Sequence, residues 1–391
     1  MPKVSPFKGV RFDPDRVELS RALCPPYDAI SQPLARKLRR VPENAIHIEL
    51  PAGPPASRYR KAAAAWKSRL SKGLLVLDDE PCLYAVEQRF VADGRDMRRV
   101  GLLAALGVDD ESASRVLAHE RTLSKPKEDR MRLLEAIRVN TSPIFAIFSD
   151  ETGEARAALL AARQREPLWS GKDCQGVEHR LWRVGGALAR GIPRVLEGKT
   201  FLIADGHHRY EVSREFFKRT AEPGAEATLA YLCPEEDPGL LVMPTHRVMK
   251  PGRGVRESLA AALLSPMPDD KALESALESA MSPYAFGLYD GSFRLGLPAP
   301  GCAGATSGFG TDWLARNILA GADPQEIRYF HSAPEAVEDA RRTRSWAFLL
   351  KRFAVADIRR AVQAAGLLPQ KSTYFIPKVP TGLVFRAFGR P

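Results

Sequence analysis

The stretch Thr200-Phe-Leu-Ile-Ala-Asp-Gly-His-His-Arg-Tyr-Glu211 constrains this chain more than any other. Residues 201–204 are apolar or small and read as a buried strand. Asp205-Gly206 breaks it, and residues 207–221 have the composition of a helix. The dense polar group Asp205, His207, His208, Arg209 and Glu211 therefore stands where a strand hands over to a helix N-terminus. Free backbone N–H groups and the helix dipole favour an anion there. A carboxylate, two imidazoles and a guanidinium at such a turn point to a phosphate-bearing ligand and to proton transfer. A plainer reading stands beside it, Asp205 as an N-cap, a common place for Asp. A metal pair of His207 and His208 is disfavoured, because adjacent helical residues point about 100° apart and no HExxH is present.

A length of 391 residues allows two or three domains, or one large α/β body with additions. Strands are expected at residues 7–12, 45–50, 144–148, 181–184, 229–232 and 240–243. The runs 83–90 and 100–106 flank Asp93-Gly94 as a hairpin. Helices are expected at 58–70, 129–139, 155–165, 255–264, 271–281, 313–320, 333–342 and 356–365, with a second hairpin around Asp290-Gly291. This mixture of hairpins and helices is α+β rather than a regular strand–helix alternation. Pro251-Gly252-Arg253-Gly254 marks a change of character, so residues 1–250 are read as the main body and 251–391 as an additional C-terminal section. The Gly/Ala-rich run 298–310 reads as a loop.

An apolar fraction of 45% supports a real core, and no run approaches transmembrane length. The first residues lack an apolar signal segment, which makes a cytoplasmic home the expectation. The five cysteines are scattered without CxxC spacing, so reduced thiols are expected rather than a zinc site or a disulfide framework. A net charge of +11 raises nucleic-acid binding, yet the basic residues are spread along the chain among 47 acids and form no reading module. Nucleic acid is therefore a possible partner that is not favoured, and no membrane partner is expected. There is no GxxxxGK[ST] and no GxGxxG, so a nucleotide must use another scaffold.

Other polar islands carry two readings each. His119-Glu120-Arg121-Thr122 leads to Lys127-Glu128-Asp129-Arg130, either a nucleotide contact or a solvated loop with Asp129 as a helix cap. His47 and Glu49 alternate along an expected strand and so share one face. Asp28 follows Pro25-Pro26-Tyr27, a rigid backbone suited to holding a carboxylate in place. Thr245-His246-Arg247 and Lys371-Ser372-Thr373 lie near apolar runs. Lys371 with two hydroxyls suits a phosphate or a turn cap.

Together these islands resemble the domain of unknown function 1015 family of prokaryotes. The matching pieces are PFKGVRF (6–12), PPYDAIS (25–31), HIELP (47–51), HERTLSKPKEDR (119–130), NTSPIF (140–145), ADGHHRYE (204–211), DPGLLVMPTHR (237–247) and KSTYFIPKVPTGLV (371–384). The DGHHR core (205–209) is also similar to a signature shared by the free serine kinase and ParB-type partition proteins. That second resemblance implies an α+β fold whose mixed sheet and helices form a ParB/serine-kinase-like core around the strand-turn-helix. It further implies phosphoryl transfer from ATP or ADP, with Mg²⁺, to a small hydroxylated metabolite, a serine-like acceptor favoured. Asp205 would hold Mg²⁺ or position the acceptor, while His207, His208 and Arg209 stabilise phosphate charge. Gly206, His119, Lys127 and Arg130 would lie with Arg209 on the nucleotide side. Glu49, Glu211, Arg247, Lys371 and Ser372 would lie on the acceptor side, with Glu120, Asp28 or Glu49 accepting the hydroxyl proton. Two alternatives remain open: a nucleotide-gated, ParB-like DNA-binding or regulatory protein, and a metal-dependent hydrolase using His207 and His208.

Overall fold

A long hairpin founds the largest sheet. Leu83–Ala92 (β1) and Arg95–Gly107 (β2) pair antiparallel from Ala92↔Arg95 to Tyr84↔Leu103, around a Gly94 at φ +71°. The computed structural model describes residues 3–92, 94–119, 124–302, 309–323, 325–352, 354–365 and 373–388. Asp93, the other half of the expected turn, lies outside them. Val116–Leu117 (β3), Ile144–Phe148 (β4), Trp169–Lys172 (β5), Glu178–Val184 (β6), Phe201–Asp205 (β7) and Ala227–Pro234 (β8) join the hairpin. Among the described residues the order is β3-β7-β4-β8-β2-β1-β6-β5, with Val4–Ser5 added beside β2. The sheet is mixed: β8 runs parallel to β4 and antiparallel to β2, and β7 runs antiparallel to β4. Strands β4 and β8 are buried along their whole length, as their unbroken apolar runs demand.

Helices cover this sheet. Pro55–Ser71 (α1), Ser124–Ile137 (α2), Glu154–Ala162 (α3), Gly186–Val195 (α4) and His207–Thr220 (α5) supply the larger ones. Met131 and Leu134 of α2 pack with Val212 and Phe216 of α5, four apolar side chains at helical spacing that zip the two helices together. A smaller sheet of Leu75–Leu77, Gly9–Phe12, Phe385–Ala387 and Val139–Asn140 ties the chain's end to its beginning.

The chain forms two compact units. Met1–Ala118, Thr122–Leu241 and Pro377–Pro391 make the first, and His119–Arg121 with Val242–Ile376 the second. The boundary suggested at 250/251 lies inside the second unit. That unit carries a six-stranded antiparallel sheet in the order Ala262–Met267, Phe293–Pro298, Phe286–Tyr289, Trp346–Leu350, His246–Met249, Arg328–Phe330. One core cluster joins it to Asp270–Ser279 and Ala333–Thr343, and another to Gly310–Asn317. The fold class is α+β, as the sequence predicts.

Three local expectations are overturned. Residues 45–50 are not a strand: Ile46–Glu49 is a single helical turn. The Asn44 side chain accepts from Ile46 N at 2.9 Å and donates to the carbonyls of Arg21 and Leu23, closing the turn. A four-residue alternation fits one helical turn as well as a strand, so His47 and Glu49 share no pleated face. Asp129 is no cap either. It sits inside α2, where Arg58, Tyr59 and Arg130 all donate to it. The helix expected at 255–264 ends at Ser258, and Ala262 begins an edge strand that takes the apolar residues Leu263 and Leu264. Helix α4 (Gly186–Val195), with Gly191 and Pro193 inside it, was not expected, because both residues weigh against a helix in sequence.

Candidate active site

Strand β7 ends at Asp205, and Gly206 turns the chain into α5 with a left-handed backbone at φ +89°. A Cβ at residue 206 would stand 3.0 Å from the guanidinium carbon of Arg209, so both the dihedral and the space call for glycine. Asp205 caps no backbone N–H of α5. Its carboxylate is spent on cations instead: Arg209 Nη2 donates to Oδ2 at 2.6 Å, and Lys378 Nζ binds Oδ1. Arg209 is itself buried, its Nη1 donating to the carbonyl of Pro143 in the turn before β4. The N-cap reading of Asp205 is thus corrected, and Arg209 is anchored to protein rather than waving in solvent.

Two loops of the first unit bring further acids to these cations. Pro25-Pro26 leads into the one-turn 3₁₀ helix Tyr27–Ala29, which carries Asp28. Glu49, fully buried, steadies that loop, accepting from Tyr27 N at 3.1 Å and from the Thr141 hydroxyl. Arg130 closes the group. Its guanidinium donates to the Glu49 carbonyl at 2.7 Å, to Asp129 at 2.5 Å, and lies over the Tyr27 ring at 4.2 Å. A cavity of about 40 Å³ beside Glu49, Arg130, Thr141 and Arg209 has room for ordered water and not for a metabolite.

The two outer carboxylates titrate in opposite directions. Burial pushes Asp205 up, but Lys378 and Arg209 outweigh it and hold the carboxyl down at about 2. Burial and the neighbouring Asp205 push Asp28 up against the pull of Arg209 and Lys378. Asp28 keeps contact with solvent although protein crowds it, so the push is weaker than for a sealed carboxyl. No described residue hydrogen-bonds it, which leaves its oxygens available. On α5, burial lowers His208 and favours the neutral imidazole, with Glu211 and Lys127 as its charged neighbours. Lys127 and Glu211 pair at 3.1 Å between α2 and α5. His207 is buried and helps to hold Asp205 ionised.

The first unit therefore gathers Asp28, Glu49, Arg130, Asp205, Gly206 and Arg209, with His207, His208, Lys127 and Glu211 along α5 and α2. His119 and Arg247 belong to the second unit, where His119 Nε2 meets the Thr373 hydroxyl at 2.7 Å and Arg247 donates to the Thr245 carbonyl at 2.7 Å. Glu120, Lys371 and Ser372 lie outside the described residues. Among the described residues no group of three or more His, Cys, Asp or Glu side chains could hold a metal, and both oxygens of Asp205 face cations. The five cysteines are free.

With this geometry in hand, the family described as Protein of unknown function (DUF1015) matches residues 4–300. The chain belongs to the DUF1015 family. No curated protein matches the sequence. Among solved structures, a conserved hypothetical protein from Pyrococcus furiosus is similar at 15% identity and a TM-score of 0.40, covering 72% of this chain and 95% of its own. A free serine kinase in complex with AMP is similar at 13% identity and 0.41, covering 72% and 92%. SbnI with a C-terminal truncation, from Staphylococcus aureus, is similar at 10% and 0.42, covering 73% and 87%. Values this low pass no residue's role to this DUF1015 protein. Among the described residues no helix is long and apolar enough to cross a membrane.

One site residue was not singled out in sequence, although the segment 371–384 that resembles the family contains it. Lys378 lies past the family-matched span, 173 residues from its partner Asp205. Within that segment the flanking Pro377 and Pro380, which fix a backbone as Pro25-Pro26 do, mark it.

Proposed function

We propose that this protein binds a nucleotide and transfers a phosphoryl group to a small hydroxylated metabolite, a serine-like acceptor favoured. The observation that carries the reading is the opposed carboxylate pair: Asp205 held ionised between two cations, Asp28 pushed up and open. Neighbouring carboxyls whose environments drive their pKa values apart divide the acid–base roles between them. Phosphoryl transfer asks for positive charge around the phosphate oxygens and one base to orient the hydroxyl. Arg209 and Lys378 supply the charge at the N-terminus of α5, where backbone N–H groups add to it. Asp28 takes the proton of the acceptor hydroxyl as its oxygen bonds to phosphorus and the bond to the leaving nucleotide breaks. Glu49 and Arg130 hold the Asp28 loop in place. Mg²⁺ accompanying the phosphates is expected from the resemblance.

Calorimetric titration with ATP, ADP and CTP, followed by a transfer assay over a panel of hydroxylated metabolites including serine, tests this. Nucleotide binding by the wild-type protein, and transfer abolished by Asp28→Asn with that binding retained, are expected. A protein that binds none of these nucleotides and turns none over discards the reading.

A further inference from the structure

The surplus charge of this chain is concentrated in one segment. Over the whole length 58 Lys and Arg stand among 47 acids, a net +11 that reads as spread along the chain. Between Asp28 and Asp78, however, ten Lys and Arg face two acids, Glu43 and the buried Glu49. Those 49 residues hold +8, and the other 342 share +3, which corrects the even spread expected from sequence.

Two helices carry this charge. Gln32–Leu38 and α1 (Pro55–Ser71) contain no acid, so neither can make the i,i+4 ion pairs that Arg132–Glu128 and Arg219–Glu215 form on α2 and α5. Arg36, Lys37, Arg40, Arg60, Lys61 and Lys67 are exposed, and none of their side chains is ion-paired with a described residue. On α1, Arg60, Lys61 and Lys67 span about 120° of the surface, opposite the buried Ala62, Trp66 and Arg69. Both helices are tied to the turn Ile46–Glu49. Arg69 of α1 donates to the carbonyls of Pro42 and Asn44 before it, at 2.8 and 3.0 Å. Arg39, which follows the shorter helix, donates to the Leu50 carbonyl after it at 3.0 Å.

We infer that this basic surface docks duplex nucleic acid, gripped through its phosphates without regard to sequence. Exposed, unpaired cations suit a phosphate backbone, which gives up condensed counterions to them. A single strand asks for aromatic platforms. The two aromatics of the segment are engaged elsewhere, Trp66 in the core and Tyr59 on Asp129 at 2.7 Å. An anionic membrane asks for large apolar side chains close to the cations. From Arg60 to Ser71 the exposed positions of α1 are Arg60, Lys61, Ala64, Lys67 and Ser71, with nothing apolar larger than alanine.

The test is fluorescence anisotropy of a labelled DNA duplex of arbitrary sequence with the full chain, as KCl rises from about 50 to about 200 mM. Each phosphate contact adds about −0.9 to the slope of log K against log salt. Lys61→Gln/Lys67→Gln should therefore make the slope shallower by about 2 and weaken binding by about 10- to 100-fold at low salt. Both positions are exposed and Gln is nearly as good a helix former as Lys, so an unchanged melting temperature is expected. Arg190→Gln/Arg194→Gln removes the same charge from exposed positions of α4 and should leave affinity within about two-fold, because salt screens distant charges. Equal losses in the two variants would mean that binding follows net charge alone, which overturns the inference. Wild-type protein that leaves the duplex free at about 50 mM KCl overturns it as well. So does tighter binding to single-stranded DNA or to phosphatidylserine vesicles than to the duplex.

Discussion

The Asp28 loop and the Asp205 turn present the same functional group to the same neighbourhood and treat it in opposite ways. Asp205 is clasped by a residue one helical turn along its own helix and by another from the far end of the chain, and its carboxyl titrates at about 2. Asp28 sits on a single 3₁₀ turn behind two prolines, crowded by protein and pushed up by Asp205 itself. Identity of side chain therefore says little about role here. The partners decide: they hold one carboxylate as a fixed counter-charge and push the other up.

The sharpest way to break that comparison is Asp28→Asn. If Asp28 is the base, phosphoryl transfer falls by about 10²- to 10⁴-fold while nucleotide affinity holds within a few-fold. The acid limb of the wild-type rate profile then reports Asp28. In Asp205→Asn that limb moves to lower pH, because the neighbouring anion that raises Asp28 has gone. A limb that stays put refutes the coupling.

Arg209→Ala comes next and sharpens the other side. The sequence alone reads Arg209 only as a group that stabilises phosphate charge. Burial of Arg209, with one nitrogen on the Pro143 carbonyl and another on Asp205, changes that expectation. Removing one partner of a buried pair costs about 3–5 kcal/mol. Denaturant titration should show a loss in that range, and one below about 1 kcal/mol would mean the pair is effectively solvated.

Acid titration separates the two carboxylates by sign. Asp205 is depressed, so its contribution is complete above its ordinary value of 3.8 and is lost as pH falls through about 2. That depression corresponds to about 2 kcal/mol. Asp28 is raised, so its contribution is complete below 3.8 and is lost as pH climbs through its folded value. Midpoints in urea between pH 6 and 2 should fall less steeply with acid in Asp205→Asn than in wild type, and more steeply in Asp28→Asn. Parallel curves for all three proteins count against the assignment.

How much of this was legible depends on sequence distance. Strand, turn and helix at 201–220 could be read because every cue is local: an apolar run, a glycine break, a polar cluster, an amphipathic helix. Asp28 was legible because two prolines announce a rigid backbone. The single turn at Ile46–Glu49 was not, since its cap comes from Asn44 and its function, bracing Tyr27, crosses 22 residues. Lys378 was least legible. Its partner is 173 residues away and its anchors, Gln88 and Arg99, look like ordinary strand polar residues until the hairpin register places them opposite each other. Lys371, chosen for its neighbouring hydroxyls, lies outside the described residues.

The smallest predicted effect sits at the hinge of the comparison. Gly206→Ala places a Cβ where φ is +89°, a conformation that costs an L-residue about 1–2 kcal/mol. It also brings that carbon within 3.0–3.1 Å of three atoms of the Arg209 guanidinium. The far end of a long side chain can yield by a few tenths of an ångström, but here it is tied to Asp205 on one side and to Pro143 on the other. The backbone strain should appear as lost stability, and the displaced guanidinium as a several-fold loss of nucleotide affinity in protein that is still folded. Arg209 also pulls Asp28 down, so a displaced guanidinium should let Asp28 rise and move the acid limb of the rate profile slightly to higher pH, opposite to its movement in Asp205→Asn. A limb that moves to lower pH in Gly206→Ala would mean that the strain falls on Asp205 rather than on Arg209.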